Sequence, residues 1–261
     1  MDTNNFIERY GPVALITGAS SGIGRSFAEL LAAKGLDLVL AARRLDRLDQ
    51  LAARLSTAHG VNVRVLQADL SQASAPQDIL DCTANIDVGL LVSNAGFGLK
   101  GRFDSGDLAV LTDMLMVNCN APMILARGFV PRLLARRKGG ILLTSSVEGL
   151  IGIPFSAAYA ATKGFVNSLG EGLWGELAPE GIDVLTLCPG ATDTEAPRLQ
   201  GVDPATLQHV MTPDEVAARA IDNLRNGPVY VASDHYGASF QRLLALPRRD
   251  ALAAIARSMK K

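Results

Sequence analysis

Val13-Ala-Leu-Ile-Thr-Gly-Ala-Ser-Ser-Gly-Ile-Gly24 is the stretch whose reading decides the fold. Val13 to Thr17 is a short, nearly uninterrupted apolar run, as expected of a strand buried on both faces. Residues 22–34 then carry helical periodicity, and Gly35 closes that helix at its C′ position. Between them, Gly18, Gly22 and Gly24 make a strand-to-helix turn. The reason for glycine is steric: the turn is tight, its backbone must approach an anionic group closely, and the helix must pack on the strand. The amides at the helix N-terminus then face that anion. In this context the turn reads as the pyrophosphate cradle of a dinucleotide, with Gly18, Ser20, Ser21, Gly22, Ile23 and Gly24 as its contacts.

Working outward, short apolar runs alternate with amphipathic segments. That alternation is the signature of a parallel sheet with crossover helices. Further strands are expected at 36–41, 61–67, 88–93, 140–145, 182–188 and 229–232. Helices are expected at 46–59, 75–84, 106–137 and 156–178, the third interrupted near Pro122 and Pro131. The fold class is therefore α/β: a doubly wound, mostly parallel, seven-stranded Rossmann sheet in a single domain over 1–261. The Pro-, Gly-, Thr- and Asp-rich stretch 191–212 follows the sixth strand and reads as a loop with a short helix. Loops there line the ligand crevice of such sheets. Thr212-Pro213 reads as an N-cap followed by N1 of the next helix.

Bulk properties narrow the classes. The 261 residues are 48% hydrophobic with mean hydropathy +0.20, enough for a large core. A net charge of −1 and a pI near 6.3 argue against a nucleic-acid binder held by phosphate contacts. Cys82, Cys119 and Cys188 are far apart in apolar surroundings and read as buried free thiols, which fits a reducing, cytoplasmic setting. No metal-ligand spacing occurs, so no metal is expected. The opening residues lack a basic segment followed by an apolar run, and no stretch reaches the roughly 18 apolar residues of a membrane span.

The residues after strand 2 address which dinucleotide binds. A carboxylate there would accept from a free ribose 2′-hydroxyl. This chain instead has Ala41-Ala42-Arg43-Arg44, and guanidinium suits a 2′-phosphate. NADP(H) is favoured over NAD(H), with Arg43 the first candidate and Arg44 the second; Arg47 is expected to face solvent. Asp69-Leu70 after strand 3 is placed to meet the adenine, with an Asx-turn as the alternative. Asn94-Ala95-Gly96 puts small residues where the cofactor would cross the sheet edge.

Tyr159-Ala-Ala-Thr-Lys163 places a phenol and an ammonium one helical turn apart on one face. The ammonium favours phenolate. Bringing a tyrosine from about 10 to about 7 needs about 4 kcal/mol, more than one partly wet lysine supplies. A second positive charge, such as an oxidised nicotinamide ring, would help.

TGASSGIG at 17–24, NAG at 94–96, Asn118, Ser146, YAATK at 159–163 and PG at 189–190 together resemble the short-chain dehydrogenase/reductase family, in order and spacing, from about residue 12 to 235. The resemblance implies Tyr159 as general acid/base, Lys163 lowering its pKa and holding the nicotinamide ribose, and Ser146 orienting a substrate carbonyl. It further implies Asn118 supporting a proton-relaying water. Ser145 is expected to point to the other side of the strand. Pro189, Gly190, Thr192 and Thr194 would hold the carboxamide and phosphates. IDVGLLVSNAG and the C-terminal residues are similar to a bacterial branch near steroid and long-chain ketoacyl reductases.

The expected substrate-facing residues are Phe97, Ser146, Glu148, Ile153, Phe155 and Tyr159. They are mainly apolar and suggest a hydrophobic carbonyl compound or alcohol. Relatives commonly form homodimers or homotetramers through the helices at 107–137 and 157–178, where Gly164, Gly170 and Gly172 permit close approach. The tail, about 236–261, is basic and amphipathic. A competing reading is a regulatory protein that binds NADP(H) without turnover; an intact Asn, Ser, Tyr and Lys set argues against it. Dehydratase or epimerase chemistry usually brings a longer substrate region.

Overall fold

The computed structural model describes residues 3–200 and 202–259. Gly201 of the expected loop, Lys260 and Lys261 of the expected tail, and Met1 and Asp2 lie outside the described residues. An opening helix α1 (Thr3–Tyr10), unforeseen in the sequence, precedes β1 (Val13–Thr17). The chain then alternates through α2 (Gly22–Ala33), β2 (Asp37–Ala42), α3 (Leu45–His59), β3 (Val63–Gln67), α4 (Ala75–Cys82) and β4 (Val88–Ser93). Next come α5 (Leu108–Leu115), α6 (Ala121–Arg136), β5 (Gly140–Thr144), α7 (Ala157–Leu177) and β6 (Asp183–Cys188). The short α8 (Ala196–Leu199), α9 (Pro213–Asp222), β7 (Val229–Val231), α10 (Asp234–Leu244) and α11 (Arg248–Ser258) complete the order.

The seven strands form one parallel sheet in the order β3-β2-β1-β4-β5-β6-β7. Strand order reverses between β1 and β4, so a crevice opens at their carboxyl ends. Thr17 closes β1 there and Ser93 closes β4. Apolar residues alternate between two faces, each covered by helices. Leu38, Leu40 and Val92 pack with α2, α3 and α9 on one side. Leu91, Ile141 and Leu143 pack with α4, α6 and α7 on the other. Burial on both faces explains the unbroken apolar strands read from the sequence.

Thr212 caps α9 through a full capping box with Glu215, as its sequence implies. The tail folds into α10 and α11, whose Phe240, Ala251 and Ile255 pack against Val147, Ile151, Ile153 and Ala160. Helix α1 buries Phe6 and Tyr10, one turn apart, in the core, and polar side chains anchor it further. Arg9 and the Tyr10 hydroxyl both bond to the Asp183 carboxylate at the start of β6, the latter at 2.6 Å.

The long helix meets expectation at Pro122 and departs from it at Pro131. Pro131 is accommodated within α6, and the interruption is a π-helical turn, Met116–Asn120, with Pro122 just after it. Helical residues 108–136 contain an 18-residue stretch with the mean hydropathy (1.5) of a membrane span, contrary to the expectation of none. The inner face of this run, with Leu125, Phe129 and Leu133, lies in the sheet core, and only its outer face is exposed. The thiols also differ from expectation: Cys188 is buried, Cys119 half-buried and Cys82 exposed, because Cys82 ends α4 on its solvent side.

Candidate active site

The glycine turn is held open for a ligand by contacts that only glycine permits. Gly18 adopts φ +69°, and a Cβ there would lie 2.9 Å from the Ala95 Cα. Gly22 adopts φ +53° beneath the Thr194 methyl, 3.0 Å from where its Cβ would stand. A Cβ on Gly24 would collide with the Gly18 carbonyl oxygen. The three glycines thus leave a backbone cradle at the start of α2, where its first amides lack helical partners. Ser20 and Ser21 flank the cradle, and Ile23 packs against the core below.

Asn94 braces this turn from β4. Its backbone N–H and that of Ala95 both donate to the Thr17 hydroxyl at 3.0 Å, and its side-chain amide donates to the Thr17 carbonyl. The Asn94 side chain is therefore structural, tying the ends of β1 and β4 together at the crevice. Gly96 follows as an exposed residue, with the Lys163 ammonium 3.1 Å from where its Cβ would be.

The arginines exchange the ranks expected of them. Arg43 is exposed; its backbone carbonyl accepts from Gln67, and its guanidinium makes no hydrogen bond among the described residues. Arg44 instead reaches the turn, donating to the hydroxyls of Ser20 at 3.1 Å and Ser21 at 2.7 Å. Its other nitrogen meets Glu195 at 2.8 Å, and Arg47 meets the same carboxylate at 2.7 Å instead of facing solvent alone. Two guanidiniums hold Glu195 down to about 2. Glu195 escaped the sequence reading because nothing local marks a glutamate 151 residues from its partner.

Asp69 accepts from the amide and hydroxyl of Ser71, which is the Asx-turn alternative, and Leu70 is buried in the core. Pro189 accepts from the Val147 amide. Gly190 lets the Tyr236 ring lie against the backbone. Thr192 donates to the Gly190 carbonyl, and the Thr194 hydroxyl accepts from the Ala196 amide at the start of α8. Both threonine hydroxyls thus serve local turns here. A pocket of about 290 Å³ lies beneath this loop, lined by Thr192, Thr194, Leu207 and Met211.

At the carboxyl end of β5, successive serines diverge as a strand requires. Ser145 turns inward and donates to the Lys163 carbonyl at 2.9 Å. Ser146 faces the crevice on the side of the Tyr159 phenol, which its hydroxyl helps to pull down. Lys163 is 3% exposed and donates to the Thr144 carbonyl at 2.8 Å, with its nitrogen 5.8 Å from the centre of the Tyr159 ring. Burial lowers Lys163 to about 8.

Here the electrostatics overturn the simple expectation. Tyr159 is pushed up, not down. Burial is the main cause, and the nearby Glu148 carboxylate adds to it. The lysine alone does not acidify the phenol in the isolated chain.

Asn118 sits within the π-helical turn and is buried. Its amide nitrogen donates to the Phe97 carbonyl at 2.8 Å and to the Thr162 hydroxyl at 3.0 Å; its oxygen accepts from the Phe97 amide at 3.1 Å. The side chain is saturated and clamps the peptide of Phe97 beside Tyr159. The Asn118 backbone carbonyl differs: its α-helical donor would be residue 122, a proline without an N–H.

The expected substrate residues divide. Phe97 and Phe155 are half-buried, Phe97 preceding the Gly98 that borders the Tyr159 ring, and Phe155 holds φ +61° while its carbonyl accepts from Gly101. Ile153 is buried among Val147, Ala160 and Ile255, so it packs the tail instead of facing the crevice. Glu148 is not exposed; it bonds Lys100 and Ser156. Gln200, missed in the sequence, leans over Gly98 on the same side as the Tyr159 ring. Of the three helix-contact glycines, Gly170 packs against Thr186 and Gly164 faces Gly149, leaving only Gly172 open.

Comparison with known proteins places these features. The short chain dehydrogenase family model matches residues 12–201. The chain is 29% identical over 252 residues to 7beta-hydroxysteroid dehydrogenase of Clostridium sardiniense, covering 96% of this chain and 97% of that protein. It is similar to a solved short-chain dehydrogenase from Sphingobium yanoikuyae in complex with NADPH, with TM-score 0.84 and 37% identity over 94% of this chain and 95% of that one. It is also similar to the bulky-bulky ketone specific alcohol dehydrogenase from Comamonas testosteroni, with TM-score 0.78 and 35% identity over 90% and 91%. A parallel sheet with this crossover, a glycine cradle at its switch point and a Ser-Tyr-Lys cluster beside it are thus joined by a match over most of the chain, and the chain belongs to the short-chain dehydrogenase family.

Proposed function

We propose that this protein is an NADP(H)-dependent oxidoreductase that interconverts a carbonyl and an alcohol on a hydrophobic small molecule, with Tyr159 exchanging the proton. The observation that carries this reading is the convergence of the Ser146 hydroxyl, the Tyr159 phenol and the Lys163 ammonium next to the glycine cradle. NADP(H), when bound, supplies or accepts the hydride. The cradle of Gly18, Gly22 and Gly24 fits its pyrophosphate, and Arg44, with Ser20 and Ser21, fits a 2′-phosphate. Arg47 adds charge, and Lys163, beside Gly96, is positioned for the ribose.

The roles of this chain's residues follow. Negative charge growing on the substrate oxygen is met by donors from Ser146 and Tyr159. Tyr159 gives its proton in reduction and takes one in oxidation. The raised phenol stays protonated at neutral pH; oxidation calls for the extra positive charge that oxidised cofactor brings. The Asn118 carbonyl, without an α-helical donor, is available to a water that passes protons from Lys163, while its side chain holds Phe97 in place.

The substrate class rests on the apolar residues of the segments flanking Tyr159, Phe97 and Phe155 among them, together with the ketone and hydroxysteroid enzymes to which the chain is similar. Exposed Leu108, Leu115 and Met123 on α5 and α6, with Phe165 and Trp174 on α7, support self-association into a homodimer or homotetramer. Three free cysteines support a cytoplasmic setting.

The test is NADPH oxidation against a panel of bulky ketones, with Tyr159→Phe as control. Turnover that falls by about 10²-fold or more in Tyr159→Phe supports the reading. Tight NADPH binding with no carbonyl turned over would favour a cofactor-sensing protein instead.

A further inference from the structure

The turn that follows Ser146 returns a carboxylate to the site. Glu148 lies in the 3₁₀ turn Val147–Gly149, and its backbone N–H donates to the Ser146 hydroxyl at 3.1 Å. One carboxylate oxygen accepts from the Lys100 ammonium at 3.0 Å. The other accepts from the Ser156 hydroxyl at 2.6 Å. Ser156 is the N-cap of α7, yet its hydroxyl is not used on the helix's own amides. Tyr159 follows three residues later. Glu148 therefore links the segment after β4, the Ser146 turn and the start of the helix that presents the phenol. The Glu148 and Lys100 side chains are only 19% and 24% exposed, so their charges are weakly screened.

We propose that Glu148 is a positioning residue whose carboxylate, tied to Lys100 and Ser156, joins the Ser146 turn to the start of the helix that carries Tyr159 and sets the charge around the phenol. The inference rests on Tyr159 being the acid/base. A negative charge beside a phenol opposes phenolate. The groups facing Tyr159 are Glu148 from the turn, Cys188 from β6 and Lys163 from α7, with the Ser146 hydroxyl on the same side. Lys100 acts through Glu148, and Tyr236 of α10 is pushed up by burial, to which the same carboxylate adds. Glu148 raises Tyr159 in company with burial, whereas Ser146 opposes them. The reaction's equilibrium does not change; the pH range in which the tyrosine can act as a base moves upward.

The arrangement separates electrostatics from scaffolding by sign. Glu148→Gln keeps the shape and removes the negative charge, so the Tyr159 proton should be lost more easily. Lys100→Met leaves the negative charge unbalanced, so the proton should be held more tightly. A scaffolding role alone predicts that both variants move the same way, since both break one link.

The experiment is a titration of ¹³C-labelled tyrosine by NMR with NADP⁺ bound, the Tyr159 resonance assigned by its absence in Tyr159→Phe. Glu148→Gln is expected to weaken proton affinity by on the order of tenfold, and Lys100→Met to strengthen it. No downward movement in Glu148→Gln, or movement of both variants in one direction, overturns the proposal. If Glu148→Gln does not fold, an unchanged or lowered value in Lys100→Met has the same force. A Tyr159→Phe variant that still reduces ketones would instead refute the acid/base reading, without touching the measured shifts.

Discussion

Replacing Arg44 by alanine should erase the preference for NADPH over NADH, and replacing Arg43 should not. Arg44 donates to Ser20, Ser21 and Glu195 at the mouth of the glycine turn, whereas Arg43 is exposed and bonds none of them. A hydrogen bond to a charged group contributes about 1.5–3 kcal/mol. The free chain gives some of that back, because NADPH binding must disturb the Arg44–Glu195 pair. Both side chains are well exposed, 39% and 44%, so that pair is worth at most about 1 kcal/mol. The net loss in Arg44→Ala is about 2 kcal/mol, or roughly 30-fold in the NADPH dissociation constant. NADH, lacking the 2′-phosphate, should change by less than about threefold. Arg43→Ala should stay within about 0.5 kcal/mol for both cofactors, as surface changes usually do. Fluorescence titration of both nucleotides at one fixed ionic strength measures all four quantities. If Arg43→Ala abolishes the preference while Arg44→Ala retains it, the geometric assignment is wrong and the guanidinium read first from the sequence is the phosphate ligand.

Three further outcomes follow from the same geometry. Glu195→Gln removes a competing anion from the Arg44–Arg47 pair and should tighten NADPH binding about two- to fivefold while leaving NADH nearly unchanged; weaker NADPH binding would show that Glu195 supports the seat. Gly24→Ala drives a methyl into the Gly18 carbonyl, a backbone atom that cannot turn aside, and should cost about 1–3 kcal/mol of stability and most NADPH affinity, read by thermal melting with and without cofactor. Lys163, held near 8 against an ordinary 10.5, is deprotonated in the folded chain before it is in the unfolded one. Stability should therefore rise from about pH 8 toward 10, by an amount on the order of 3 kcal/mol at most. The Cys188 thiol, raised to about 12 by burial, opposes this above about pH 9, so the comparison is wild type minus Lys163→Met in urea. A difference independent of pH would mean the ammonium is not desolvated in solution.

Much of the architecture was legible because it repeats locally. Unbroken apolar runs such as VGLLVS could only be strands covered on both faces, and helical periodicity placed the crossovers between them. What escaped was set by single long-range contacts. Helix α1 is docked by Phe6 and Tyr10 in the core and by Arg9 and Tyr10 meeting Asp183, 173 residues away for the tyrosine, with no sequence signal linking that last pair. The break in the long helix was expected at prolines, yet Pro131 fits within α6. The turn opens at Met116–Asn120, just ahead of Pro122 as expected, and there Asn118 reaches the Phe97 peptide. Ile153 looked like a substrate contact until the tail helices covered it.

The Val13–Gly24 stretch and the Tyr159–Lys163 spacing determined, by themselves, a strand–turn–helix cradle and a phenol and ammonium on one helical face. Backbone geometry decides such matters within a turn or two, so no distant residue is needed to read them. Only the tertiary structure decided which arginine faces the cradle, that Glu195 spans it, and that the phenol is pushed up instead of down. Those outcomes depend on burial and on charges brought together from β5, α7 and the loops. Such sums over space carry no periodic mark along the chain.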